Sequence, residues 1–163
     1  LYLFDESIQT LIHDIKYKDA SYIAVFLGQK MGEYYRGTPF SECDAIVPVP
    51  LYSARKRERT YNQSACIAKG LSRTWNIPVK TRWVKRTRNT GTQTKLNKRE
   101  RQDNIKGAFR CKRGVSVPRN ICIVDDVFTT GATTMELARI MREQGADRIS
   151  ILCLATPVHK RNT

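Results

Sequence analysis

Four consecutive apolar residues, Ile121-Cys122-Ile123-Val124, run straight into two carboxylates, Asp125 and Asp126. A strand with no polar alternation must be covered on both faces, which is the situation of a parallel sheet in an α/β protein. The acids therefore stand at the strand's C-terminal edge, where open α/β sheets bind ligands. Thr129-Thr130-Gly131-Ala132-Thr133 then forms a turn, and Leu137, Ile140 and Met141 recur at the spacing of a helix. Gly131 lets backbone approach a ligand, and the first helical turn offers unpaired N–H groups to an anion. Carboxylates that accept from hydroxyls, beside amides and threonine hydroxyls that hold an anion, suit a sugar phosphate.

The rest of the chain fits one α/β domain. Its 163 residues (18.7 kDa) are enough for a sizeable core. Lys and Arg number 29 against 15 Asp and Glu, a formal charge of +14. That balance favours polyanionic partners (pyrophosphate, nucleotides, nucleic acid) or an acidic membrane surface, and it also serves solubility. Five scattered cysteines with no CxxC exclude zinc-site spacing and read as reduced thiols of a cytoplasmic protein. The longest apolar run, 22–27, is too short to span a bilayer, and no signal peptide is visible. A first residue Leu1 reads as a piece of a longer protein.

In chain order, residues 5–36 predict two helices. Asp5 or Ser7 would cap the first, with Ile8, Leu11, Ile12 and Ile15 on one face. Ile23, Ala24, Leu27 and Met31 mark the second, where Gly28 and Gly32 permit close packing. Both helices read as scaffold. Residues 44–51 predict a short strand that Pro48 and Pro50 break into a rigid turn. The basic cluster Arg55, Lys56, Arg57 and Arg59 follows, which reads either as a holder of pyrophosphate at the strand's end or as a solvated helix start, and a helix opens near Asn62-Gln63. The most basic stretch of the chain, 80–101, reads as a strand near 79–84 followed by a mobile, solvated loop. A last buried strand covers 149–155. Alternating strands and helices predict a mostly parallel sheet with helices on both faces.

The strand-Asp-Asp-turn segment resembles the phosphoribosyl pyrophosphate (PRPP) motif of type I phosphoribosyltransferases. Val47-Pro48-Val49-Pro50-Leu51 with Arg55, Arg59 and Asn62-Gln63 is similar to the signature of the ComF family, phosphoribosyltransferase-like proteins linked to competence for DNA uptake. Ile15-Lys16-Tyr17-Lys18 and the set Arg86, Thr90, Gln93, Leu96, Arg101, Asn104 extend the resemblance across nearly the whole chain. Two departures stand out. Many members carry an N-terminal four-cysteine zinc ribbon that this sequence does not contain. Thr60 also stands where a glycine is common before the aromatic, here Tyr61, which leaves the turn geometry open.

The resemblance implies a type I phosphoribosyltransferase-like domain at 37–163, with an N-terminal helical segment, 1–36, packed on it. It assigns Asp125 and Asp126 to the ribose hydroxyls and, through PRPP and water, to Mg²⁺. Adjacent strand residues point to opposite faces, so both acids reach one ligand only if the strand has ended by Asp125. Thr129, Thr130, Gly131, Ala132 and Thr133 would hold the 5′-phosphate, and Val49, Pro50, Leu51 and Arg55 the pyrophosphate. The resemblance further implies that the basic loop within 80–101 closes over PRPP as a lid, from which Arg86 or Arg88 would arrive, Arg86 joining the acids as a catalytic candidate. Thr129 occupies the position where purine-type members carry an acid, so leaving-group stabilisation is expected to outweigh base abstraction.

Arg82, Lys85, Arg86, Arg88, Lys98, Arg99 and Arg101 are the candidates for nucleic acid, with Trp83 and Tyr61 available to stack on bases. The implied function is PRPP binding in DNA uptake, with single-stranded DNA and other uptake proteins as partners. A catalytic phosphoribosyltransferase of nucleotide metabolism and a PRPP-sensing regulator are the alternatives.

Overall fold

The structure is a computed structural model that describes residues 2–3, 6–88 and 104–156. Asp5, Thr90, Gln93, Leu96, Lys98, Arg99 and Arg101, together with most of the expected lid, lie outside the described residues.

Four parallel strands form the main sheet in the order β1-β6-β5-β2: β1 (Tyr2–Leu3), β2 (Ala45–Pro48), β5 (Asn120–Val127) and β6 (Arg148–Thr156). β3 (Val84–Arg86) and β4 (Phe109–Cys111) make a separate antiparallel ribbon. The helices are α1 (Glu6–Tyr17), α2 (Ser21–Tyr34), α3 (Ser53–Glu58), α4 (Gln63–Trp75) and α5 (Ala132–Glu143).

The apolar runs behave as two-sided burial demands. Residues 45–48 and 121–124 are all buried, and they pair in register, Ala45 with Ile121 through Pro48 with Val124. Alternation sends Ala45, Val47, Ile121 and Ile123 to the face covered by α5 and the ribbon, with Leu137, Met141 and Phe109. Ile46, Cys122 and Val124 take the other face, against Ile15 of α1, Met31 of α2 and Leu71 of α4. Helices thus cover both faces, and Cys122 and Cys153 are small core residues.

The expected close approach of α2 and α4 is real. A Cβ on Gly28 would lie 2.1 Å from the Ile67 carbonyl oxygen, and one on Gly70 would lie 2.2 Å from that of Val25.

Three expectations need correction. Ser7 lies inside α1 rather than at its cap. The strand expected near 79–84 is a single parallel bridge, Val79 to Ile46, and pairing into the ribbon begins at Val84. Prolines cannot continue a ladder as donors, and Pro78 stands just before the bridge. β5, finally, does not stop before the acids: it runs on through Asp125 and Asp126 to Val127.

Candidate functional site

The continuation of β5 explains how both acids reach one place. Its neighbour β2 pairs only as far as Pro48, opposite Val124, and the chain then leaves as the 49–52 loop. Beyond Val124 one side of β5 is open. A cavity of about 250 Å³ occupies that gap, and Asp125, Asp126 and Val127 line it together. Adjacent strand residues still point to opposite faces, but a cavity over the sheet's edge receives both.

The 49–52 loop forms the opposite wall with Val49, Pro50, Leu51 and Tyr52. Asn62 holds this loop in place. Its Nδ2 donates to the Val49 carbonyl at 2.9 Å, while its Oδ1 caps α4 by accepting from the Ser64 N–H at 3.0 Å. A backbone bridge from Tyr52 to Arg86 ties the loop to the ribbon and brings Arg86 to the cavity. Arg86 therefore belongs to a strand rather than to a lid. Arg88 takes no part in the cavity, because its guanidinium donates to the carbonyls of Asn104 and Lys106 at 2.6 and 3.0 Å.

The threonine turn closes the floor. Gly131 has φ +75°, and a Cβ there would come 2.7 Å from Phe128 Cζ, so both conformation and space require glycine. Thr129 and Thr133 line the cavity, and with Gly131 and Ala132 they shape a small recess beside Asp125. Thr130 sits on the other side of the turn, where its hydroxyl accepts from the Ala132 N–H at 3.4 Å and lines a separate groove.

Arg59 of the basic cluster lines the cavity together with Arg55, and Lys16, Gln63 and Ser64 line it too, although sequence reasoning placed none of these last three there. Lys16 Nζ lies 2.7 Å from Asp126 Oδ2. Ser64 Oγ donates to Asp125 Oδ1 at 2.9 Å, and that oxygen also accepts from the Asp126 N–H at 2.9 Å. Arg59 is 9% exposed; it donates to Tyr17 Oη at 3.1 Å and lies over the Tyr17 ring. Its buried Nε has no hydrogen-bond partner among the described residues. Far from being scaffold alone, α1 thus reaches the site through its last turn, and Tyr61 fastens that turn by donating to the Ile15 carbonyl. The available signals were a lysine directly after a buried isoleucine and the serine two residues past an Asn cap.

Thr60, in place of the common glycine, adopts φ +58°, the left-handed region that glycine enters freely. A β-branched residue thus occupies this turn in a conformation open to glycine.

Electrostatics set the two acids apart. Burial, with Asp126 next to it as a second cause, pushes the Asp125 carboxyl up to about 7. Burial depresses the Arg86 guanidinium; the nearby Asp125 opposes this and Arg55 adds to it. Four cations (Lys16, Arg55, Arg59, Arg86) face two carboxylates across the cavity, an environment that favours an anion. Among the described residues no three His, Cys, Asp or Glu gather as a metal cage. No helix among them is long and apolar enough to cross a membrane.

No protein-family model matches the chain. Competence protein F of Haemophilus influenzae is 39% identical over 114 residues, covering 69% of this chain and 50% of that protein. DNA utilization protein YhgH of Escherichia coli K12 is 37% identical over 151 residues, covering 90% of this chain and 66% of that protein. The chain therefore spans between 50% and 66% of the length of these relatives. Among solved structures, a glutamine PRPP amidotransferase from B. subtilis, complexed with ADP and GMP, superposes with a TM-score of 0.55 at 20% identity. The match covers 80% of this chain and 26% of that one, and it shows a shared fold, that of the type I phosphoribosyltransferases. By its sequence relatives and by this fold, the chain belongs to the ComF family.

Proposed function

We propose that the cavity binds PRPP and that the protein acts in DNA uptake or utilisation, in the cytoplasm. One observation carries the first part: a single cavity at the sheet's C-terminal edge gathers an acid pair, a threonine-glycine turn and four cations. In this reading Asp125 and Asp126 accept from the ribose hydroxyls, and Asp126 exchanges its contact with Lys16 for the ligand. Thr129, Thr133 and the amides of Gly131 and Ala132 receive the 5′-phosphate at the start of α5. The pyrophosphate lies along Val49, Pro50 and Leu51, between Arg55, Arg59 and Arg86. The second part rests on the relatives named for competence and DNA utilisation.

Mg²⁺ fits this site as a companion of PRPP rather than as a resident ion. The described acids supply two carboxylates, and Ser64, Lys16 and backbone N–H groups already engage their oxygens. Most of the ion's hard oxygen ligands would therefore be phosphate and water. When bound it would neutralise charge on the departing pyrophosphate.

Calorimetric titration of PRPP with Mg²⁺ tests the reading, using wild type and an Asp125→Asn/Asp126→Asn double variant. Saturable binding that the variant lacks is expected. A folded wild type that takes up no PRPP would overturn it. Adding candidate bases to the loaded protein then separates turnover, seen as base-dependent pyrophosphate release, from binding alone.

A further inference from the structure

The basic run of β3 does two different jobs because a strand alternates. Val84 is buried and Arg86 turns inward to the cavity, so Lys85 between them points to solvent. β4 repeats the pattern, with Phe109 buried, Cys111 partly buried and Arg110 exposed. The antiparallel register sets Lys85 directly opposite Arg110. Like charges facing each other across a ladder destabilise it, and among the described residues no acid relieves this pair. Residues 76–88 and 104–118 contain no Asp or Glu, and neither Lys85 nor Arg110 has an ion pair among the described residues. Arg82, Lys112 and Arg113 are exposed on the same ribbon or its flanks. Trp83 is half-buried beside them, with Lys80 Nζ 5.4 Å from its ring.

We propose that the outer face of the β3–β4 ribbon is a docking surface for the phosphate backbone of single-stranded DNA, carried by Lys85 and Arg110 and extended by Arg82, Lys112 and Arg113. A cation row that no acid among the described residues balances is stabilised by a polyanion laid along it. Exposed side chains two residues apart on a strand stand about 6.8 Å apart, a spacing that can follow successive phosphates. The ribbon's other face packs into the core, so the surface is only two strands wide and tracks one backbone, with the exposed part of the Trp83 indole available to a base. Arg86, Arg88 and the groups that line the PRPP cavity take no part. The inference deepens the DNA-handling half of the proposed function and is independent of the cavity.

Anisotropy of a labelled oligothymidylate tests it, with wild type and a Lys85→Glu/Arg110→Glu variant over a range of salt concentrations. Both residues are exposed, and PRPP calorimetry on the same sample reports whether cavity and fold are intact. The variant is expected to bind on the order of tenfold or more weakly. Its log–log salt slope should shrink by about 1.4, or about 0.7 for each phosphate left without its cation. A second variant, Lys112→Glu/Arg113→Glu, should give a smaller loss in the same direction. Three results would overturn the proposal: unchanged affinity and slope in the first variant, tighter binding of a duplex of equal length, or binding to phosphatidylglycerol vesicles with none to the strand. Loss of PRPP binding in wild type with strand binding retained would defeat the cavity reading and leave this one standing.

Discussion

Replacing Asp125 by Asn should change how the fold responds to pH. The ordinary carboxyl value is 3.8, and burial plus the neighbouring Asp126 raise Asp125 to about 7 in the folded protein. A tenfold change in proton affinity corresponds to 1.36 kcal/mol, so the difference between 3.8 and about 7 is worth on the order of 4 kcal/mol. The sign follows from proton counts. Below pH 3.8 the carboxyl is protonated in both states and costs nothing. Between pH 3.8 and 7 the unfolded chain has lost the proton that the folded one keeps, so stability falls as pH rises. Above pH 7 both states are ionised and the loss is complete.

Asparagine cannot ionise, yet its carbonyl can still accept from Ser64 Oγ and the Asp126 N–H. Urea unfolding of wild type and Asp125→Asn at several values from pH 4 to pH 8 reads the effect of Asp125 with its coupling to Asp126, because titrating groups remote from the pair cancel in the difference. The variant should gain on wild type by about 4 kcal/mol across that range. A difference that stays flat within about 1 kcal/mol would refute the argument that burial charges the fold for this carboxylate.

Other perturbations follow from single interactions. Thr60→Gly removes a β-branched residue from φ +58° and should stabilise the fold by about 1 kcal/mol, read as a raised thermal midpoint; a lowered midpoint would count against strain at that turn. Gly70→Ala forces a Cβ to 2.2 Å from the Val25 carbonyl oxygen, so α2 and α4 must separate, at a cost of about 3 kcal/mol in denaturant titration. Arg59→Met removes a buried cation whose Nε has no partner among the described residues. Stability should hold while calorimetric affinity for PRPP with Mg²⁺ drops about tenfold, the scale of one charge-assisted hydrogen bond.

Much of this protein is local and therefore legible along the chain. Four apolar residues in a row demand two-sided cover wherever they lie, so Ile121–Val124 dictated a parallel strand and with it the α/β class. Asp125, Asp126 and the Thr129–Thr133 turn follow within a few residues, and their position at the strand's end needs no distant partner. The glycines of α2 announced a close helix contact because only a missing side chain allows one.

Tertiary structure decided what depends on residues far apart in sequence. Lys16 meets Asp126 across 110 positions, and no periodicity within α1 distinguishes it from the exposed Lys18. Ser64 and Arg59 enter the cavity because Asn62 and Tyr61 anchor their turn to Val49 and Ile15. Composition made 80–101 one basic run, but the pairing of β3 with β4 split it, sending Arg86 inward and Lys85 outward. The early end of β2 opened the gap that lets both acids share one cavity although β5 continues past them. Side-chain chemistry can be read one residue at a time, whereas its direction is fixed only when register and neighbouring elements are in place.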